Sequence, residues 1–267
     1  MTTLASGTSH STYTLDNAWE QARQRLSLLE QCYDGPTTRR LQALGVAPGW
    51  RCLEVGAGGG SIAEFLCREV GPEGRVTAVD IDTRFLNGID APNIDVVRLD
   101  VTTDDLPKQA FDLVHCRALL MHLPARQRVL DALVAALRPG GCLLVEEADH
   151  YPISPLGSGL HPEVLEMALV DGLTGAGVDW AFARHLPALL QRRGIGDIGA
   201  ESDVALFEGG SPMAELLRLT VLQAHAAGLT GEATNEQIDA WNTLVGEPGR
   251  WFHGFGLVAA WGRRKEG

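Results

Sequence analysis

The stretch Leu53-Glu54-Val55-Gly56-Ala57-Gly58-Gly59-Gly60-Ser61 constrains this chain more than any other. Arg51 to Val55 reads as a short buried strand, and Gly60 to Val70 as an amphipathic helix stopped by Gly71-Pro72. Between them, every position from Gly56 to Gly60 except Ala57 is glycine. Glycine admits positive φ and lets a ligand approach the main chain without meeting a Cβ. A strand, a glycine loop and a helix, in that order, open a nucleotide-binding α/β unit.

The loop also discriminates among nucleotides. The last position of the dinucleotide fingerprint is Ser61 rather than glycine, and the lysine of a phosphate loop is absent. The chain carries instead Glu54-x-Gly56-x-Gly58-x-Gly60, which resembles the first motif of the class I S-adenosylmethionine-dependent methyltransferases. The resemblance implies S-adenosylmethionine as cofactor and S-adenosylhomocysteine as product. That cofactor has no phosphate and carries ammonium and sulfonium charges, so an acid beside the loop suits it.

The following elements extend the pattern. Arg75 to Val79 alternates into a second strand ending at Asp80-Ile81, where an acid can accept hydrogen bonds from both hydroxyls of a ribose. Asp95 to Leu99 gives a third strand ending at Asp100-Val101. In the resembled family an acid there meets the adenine amino group, and the next backbone N–H meets the ring. Phe111 to Arg117 gives a fourth strand, and Leu137-Arg138-Pro139-Gly140-Gly141 leads into a fifth, Cys142 to Glu146. The resemblance implies an α/β fold, a doubly wound seven-stranded, mostly parallel sheet of Rossmann-like type with helical cap segments. It implies cofactor contacts at Glu54, Gly56, Ala57, Gly58, Gly60, Asp80, Ile81, Asp100, Val101, Cys116 and Arg117.

Residues 1–47 read as an N-terminal helical lid, and 48–267 as the Rossmann-like domain with cap insertions near 152–178 and 209–250. A helix is expected from an Asn17 cap, with Trp19, Ala22, Leu26 and Leu29 as its apolar stripe and Glu20, Arg23, Gln24 and Glu30 in water. Asp34-Gly35-Pro36 is expected to end it and start another helix running to Leu44. Further helices are expected at Pro162 to Leu173, Trp180 to Arg193, Pro212 to Ala227 and Asn235 to Leu244. The last two strands are expected near Asp203 to Phe207 and at Phe255 to Trp261. In enzymes of the resembled family such N-terminal helices cover the cofactor. Tyr13 and Arg25 would then touch it, the arginine at the methionine carboxylate; the competing reading has Arg25 on the surface and Tyr13 merely packed.

Composition sets the partner classes. Net charge is −12 without a basic cluster, which argues against polymeric phosphate and nucleic acid. Cys32, Cys52, Cys67, Cys116 and Cys142 show no metal-type spacing and suit a reducing compartment. The N-terminal stretch lacks a charged start followed by an apolar run, and no run reaches the roughly 18 apolar residues of a membrane span. A cytoplasmic location, no membrane partner and a small-molecule substrate are therefore expected; the extended N-terminal helices could contribute to a homodimer. The residues after the fourth and fifth strands lack the acid and Asp-Asn pair of the metal-dependent variant, so no metal is expected.

The resemblance also sets the chemical demand, an in-line displacement at an activated methyl group, with a general base only where the acceptor must lose a proton. Tyr13, Asp16, His122, Glu147 and Asp149 are the candidates. His122, in the apolar run Ala118-Leu119-Leu120-Met121-His122-Leu123-Pro124, reads first as a packed residue. Strand alternation lets at most one of Glu146 and Glu147 face a pocket. All six tryptophans and all three tyrosines lie outside residues 51–150, which fits either an aromatic acceptor chamber or helices glued to the sheet. The Asn/Asp-Pro-Pro-aromatic motif of adenine-modifying enzymes is absent after the fourth strand. The chain is similar to small-molecule methyltransferases of secondary metabolism, which implies transfer to O, N or C, an indole carbon included, of an aromatic natural-product-like acceptor. The alternative is a catalytically silent cofactor-binding scaffold or sensor.

Overall fold

A computed structural model describes residues 19–149 and 170–266. Seven strands form one sheet in the order β3-β2-β1-β4-β5-β7-β6. They are β1 Arg51–Val55, β2 Arg75–Asp80, β3 Ile94–Arg98, β4 Phe111–Arg117, β5 Leu137–Asp149, β6 Ile195–Glu208 and β7 Trp251–Arg264. Strands β1 to β5 pair in parallel, while β7 runs antiparallel between β5 and β6. The strand order reverses between β1 and β4, each of which leaves the sheet toward a different neighbour. In an open parallel sheet that point leaves a crevice beyond the carboxyl ends of the strands. The glycine loop sits there.

The middle strands are apolar because both faces are covered. Phe111 to Cys116 of β4 are all buried, as a parallel strand between two helical layers requires. Helix α2, Ser61–Val70, turns Ile62, Ala63, Phe65, Leu66, Cys67 and Val70 inward. It packs with Leu41, Cys52, Val76 and Leu113 on one face. Helices α3, Arg126–Ala136, and α4, Leu186–Arg192, cover the other face with Leu130, Leu133, Leu186 and Leu190. Helices α5, Pro212–Ala226, and α6, Asn235–Val245, lie between β6 and β7 in the chain. Thr234 and Gln237 form a reciprocal capping box that starts α6.

The N-terminal region departs from expectation. A single helix, α1, runs Ala22–Ala43 with Pro36 inside it, where the sequence suggests a break. Proline removes one N–H and crowds the preceding turn, but tertiary bonds hold both halves. Thr37 Oγ1 lies 3.1 Å from the Tyr33 carbonyl and 2.5 Å from Glu146 Oε2. Arg40 Nη1 is 2.6 Å from Glu146 Oε1, and Arg40 also meets Glu201 and Asp203. Side chains from two strands, β5 and β6, therefore clamp the helix beyond the proline. Asn17 lies outside the described residues, as does most of the helix expected over Pro162 to Leu173. The helix expected over Trp180 to Arg193 is shorter, a 3-10 turn at Phe182–His185 leading into α4. Among the described residues, no helix is long and apolar enough to cross a membrane.

Candidate functional site

The ends of β1, β2 and β4, the segment after β3, the glycine loop and α1 enclose one open cleft of about 1060 Å³, its mouth included. Its walls include Glu54, Gly56, Ala57, Gly58, Asp80, Ile81, Asp100, Val101 and Arg117 from the sheet side. From α1 come Leu26, Leu29 and Glu30, which the sequence did not mark as site residues. The loop takes positive φ at Gly56 (71°), Gly58 (56°) and Gly60 (96°). A Cβ on Gly56 would come 3.2 Å from both terminal carbons of Leu119, so the loop lies close to the segment after β4.

The acids are held by the backbone. Gly58 N–H donates to Asp80 Oδ2 and Asp82 N–H to Asp80 Oδ1, each at 2.9 Å. Burial pushes the Asp80 carboxyl upward, with these backbone donors opposing it. Asp100 Oδ1 accepts from Thr102 N–H at 2.9 Å and from the Thr102 hydroxyl at 2.6 Å, which fixes its rotamer. Glu30 reaches from α1 over Gly59, and its Oε1 lies 3.4 Å from Ser61 N. Burial raises the Glu30 carboxyl; the Ser61 N–H lowers it less. Arg117, the cation in this wall, is committed to Asp34 at 2.8 Å and to Thr37 Oγ1 at 2.9 Å.

The donor set fits S-adenosylmethionine and not a pyrophosphate. Glu30, Glu54, Asp80 and Asp100 bring carboxylates to the wall, while its arginine is already paired. A dense anion would be repelled there; an ammonium and a sulfonium would be favoured. The positive-φ glycines leave main chain exposed where a ligand can lie against it.

Beneath the loop runs a buried relay. His115 Nδ1 is 2.6 Å from Glu54 Oε2, and His115 Nε2 is 3.3 Å from Glu146 Oε2. Burial alone would discharge this ring, but the two carboxylates outweigh it and hold the imidazole up at about 9. Glu146 is held down at about 2, because its bonds to His115 and Thr37 and the nearby Arg117 overcome its burial. The relay joins the first motif, through Glu146 and Arg40, to α1.

Several expected site residues stand elsewhere. Cys116 is fully buried in β4 among Val55, Leu120 and Leu130, so its thiol is core packing and not cleft wall. Gly60 is the residue before α2; a Cβ there would meet Ile89 Cδ1 at 2.6 Å, so it serves loop packing outside the wall. Arg25 is neither on the surface nor in this wall: it is 3% exposed and acts electrostatically on His122. His122 is itself buried, and burial, then Arg25 and Arg126, push its imidazole down to about 4, so it is neutral at pH 7. Glu147 accepts the N–H groups of Leu119, Leu120 and Met121 at 3.2, 2.7 and 3.3 Å. That shapes the turn after β4, and burial keeps its carboxyl at about 7 despite those donors. Asp149 is gripped through both oxygens by Arg184 Nε, at 2.9 and 2.8 Å. Glu146 and Glu147 do face opposite ways, and both are fully buried. Tyr13 and Asp16 lie outside the described residues. Among the described residues, then, none of the base candidates lines the cleft.

Ala118 is a wall residue that sequence reasoning missed. It takes φ 51°, a left-handed conformation uncommon for a residue with a side chain, and turns the chain from β4 into the wall. No sequence signal marks an alanine for that conformation.

Comparison with known proteins agrees with this architecture. Residues 53–143 match the family model described as a methyltransferase domain. The ubiquinone/menaquinone biosynthesis C-methyltransferase UbiE of Vibrio parahaemolyticus is 30% identical over 121 residues, 42% of this chain and 46% of that protein. The ubiquinone biosynthesis O-methyltransferase of Xylella fastidiosa (strain M23) is 35% identical over 104 residues, 36% of this chain and 41% of that protein. The match thus spans less than half the length of either relative. Among solved structures, phosphoethanolamine N-methyltransferase 2 of Haemonchus contortus, in complex with phosphomonomethylethanolamine and S-adenosylhomocysteine, superposes with a TM-score of 0.60 at 16% identity. That likeness covers 96% of this chain and 60% of the other, and it is a likeness of fold. The 53–143 match, the seven-stranded order with its antiparallel β7, and the acid-and-glycine cleft at the strand reversal agree: the chain carries a methyltransferase domain over residues 53–143 and has the α/β fold of the class I S-adenosylmethionine-dependent methyltransferases.

Proposed function

We propose that the protein moves a methyl group from S-adenosylmethionine to a small, aromatic acceptor. One observation carries the reading: Asp80 and the glycine loop are locked together by the Gly58 N–H bond at the sheet's reversal point, with Asp100 facing them from the next strand end. When bound, the cofactor supplies a methyl group on a sulfonium, an activated leaving group. In this reading the free lone pairs of the Asp80 carboxylate accept the ribose hydroxyls. Asp100 Oδ2 accepts the adenine amino group, and Val101 N–H meets the ring. Glu30 and Glu54 place negative charge on the methionine side. Leu26 and Leu29 of α1 exclude water, and the chain's main contribution is orientation, worth roughly 7–11 kcal/mol in favourable cases.

The burial of His122, Glu147 and Asp149 favours an acceptor atom that is nucleophilic by itself. A ring carbon activated by an adjacent oxygen or nitrogen, an ionised phenol or a neutral amine meets that condition. The names of the two relatives, a C- and an O-methyltransferase of quinone biosynthesis, support an aromatic ring. Phe207, Trp241, Phe252 and Phe255 are buried core beside Met121 and outside the cleft wall, and the partly buried Trp180 is the ring of that cluster that an acceptor would meet. An indole or another natural-product-like aromatic remains within this class. The same burial also favours the second reading, a cofactor-binding scaffold without turnover. Transfer of labelled methyl to a panel of indoles, phenols, amines and carboxylates separates the two. Labelled product that vanishes in Asp80→Ala supports the enzyme; tight S-adenosylhomocysteine binding without any product supports the scaffold.

A further inference from the structure

Arg25 carries a charge that no described residue hydrogen-bonds through Nε and Nη2. Its side chain is buried, 3% exposed, yet Nε and Nη2 have no hydrogen-bond partner among the described residues. Those two nitrogens form the side-on edge of the guanidinium, the edge that matches the two oxygens of a carboxylate. A buried charge is otherwise paired or expensive.

Its position tells which ligand the edge awaits. On α1, Leu26 and Glu30 lie over the glycine loop, where a Cβ on Gly58 would meet Leu26 at 3.5 Å and one on Gly59 would meet Glu30. One and two turns along, on the other flank, Leu28, Cys32 and Tyr33 pack against the aromatic cluster containing Met121 and Trp180, while Leu29 lies between that cluster and the cleft. Arg25 belongs to this second flank with Leu28, its i+3 neighbour, and Cys32, two turns on. It bears on His122 directly after Met121. Arg126, the other cation acting on His122, is tied to Asp179 and to the carbonyls of Leu120, Met121 and Gly177. The acids of the cleft lie on the opposite flank. With Arg126 paired to Asp179, and Glu147 turned onto the N–H groups of Leu119 to Met121, Arg25 is the cation here that no described residue hydrogen-bonds through Nε and Nη2.

We propose that Arg25 is the receptor for a carboxylate on the methyl acceptor, so that the substrate is an aromatic acid. The assignment rests on the methyltransferase reading and deepens it. A bidentate guanidinium–carboxylate contact anchors the acceptor's far end while its ring lies against the aromatic cluster. The neutral His122 beside it adds no competing charge.

Calorimetry with defined probes tests this. S-adenosylhomocysteine is titrated first. With it saturating, indole-3-acetate and 4-hydroxybenzoate are then compared with their amides. The expected result is that at least one acid binds about tenfold or more tightly than its amide, the scale of a charge-assisted bond. Arg25→Gln should erase that preference and leave S-adenosylhomocysteine affinity within about twofold. Arg25→Met should unfold at a higher temperature than wild type without ligand, because it removes a buried charge whose Nε and Nη2 have no partner among the described residues. Equal binding of acids and amides overturns the proposal. A tenfold or greater loss of S-adenosylhomocysteine affinity in Arg25→Gln also overturns it, by assigning the edge to the cofactor's own carboxylate. Wild-type protein that binds no S-adenosylhomocysteine overturns the methyltransferase reading itself, and the assignment with it.

Discussion

Asp80 shows how one side chain joins fold to chemistry. Its carboxylate already accepts Gly58 N–H and Asp82 N–H, so its remaining lone pairs have fixed directions. Replacing it by alanine should weaken S-adenosylhomocysteine binding by about 2–3 kcal/mol, roughly 30- to 150-fold, as expected for lost bonds to a charged acceptor; calorimetry reads this directly. Ala118 is the converse case, a residue strained without chemistry of its own. Its φ of 51° suits glycine, and Ala118→Gly should gain up to about 1 kcal/mol by relieving left-handed strain, less the entropy glycine adds to the unfolded chain. Urea denaturation measures the difference. His115 gives a pH dependence. Its folded imidazole is held at about 9 by Glu54 and Glu146 against its burial, above the ordinary value near 6.5. The stabilisation is therefore fully present below about pH 6.5 and is lost as pH rises through about 9. Wild-type thermal midpoints should fall between pH 7 and 9, and His115→Gln should flatten that fall while lowering stability at pH 6. A steeper fall in the variant would contradict the relay's charge assignment.

At the level of elements, helix α1 is decided by its partners. Gly35-Pro36 reads as a break in any local scheme, yet the helix continues because Thr37 and Arg40 find the buried carboxylate of Glu146 on β5, and Arg40 also meets the more exposed Glu201 and Asp203 on β6. Arg40 is the centre of that clamp. Arg40→Met leaves Glu146 buried without its closest cation, and should cost about 3–5 kcal/mol by analogy with other broken buried pairs; chemical denaturation at pH 7 tests it. The strands and α2 were far more legible. Arg51–Val55 and Phe111–Arg117 match the sequence reading end to end, because a buried parallel strand writes itself as an apolar run. The antiparallel strands were underestimated. Strands β6 and β7 extend well beyond Asp203 to Phe207 and Phe255 to Trp261, since cross-strand bonds carry polar and glycine residues that no apolar alternation marks.

Over the whole molecule, the cleft brings together the carboxyl ends of several strands and a helix that precedes them all. A ligand filling it should therefore tie α1 to the sheet. At a hundredfold excess over its dissociation constant, S-adenosylhomocysteine should add about 2.7 kcal/mol to stability. Hydrogen exchange should slow in residues 22–43 together with 56–60, and protection confined to the glycine loop would show that α1 is no part of the site.

The sequence by itself determined the sheet's central strands, the glycine loop, and the carboxylates at the ends of β2 and β3. These depend on local period and on short spacings, which any strand–loop–helix unit must keep. Tertiary structure decided the rest. It kept α1 whole through Pro36, drew Glu30 over the loop, and turned His122, Glu147 and Asp149 into structural groups. It also buried Arg25 beside His122 with one edge unpaired among the described residues. Each of these outcomes turns on which partner a side chain finds across the fold, at separations where local sequence carries no geometric information.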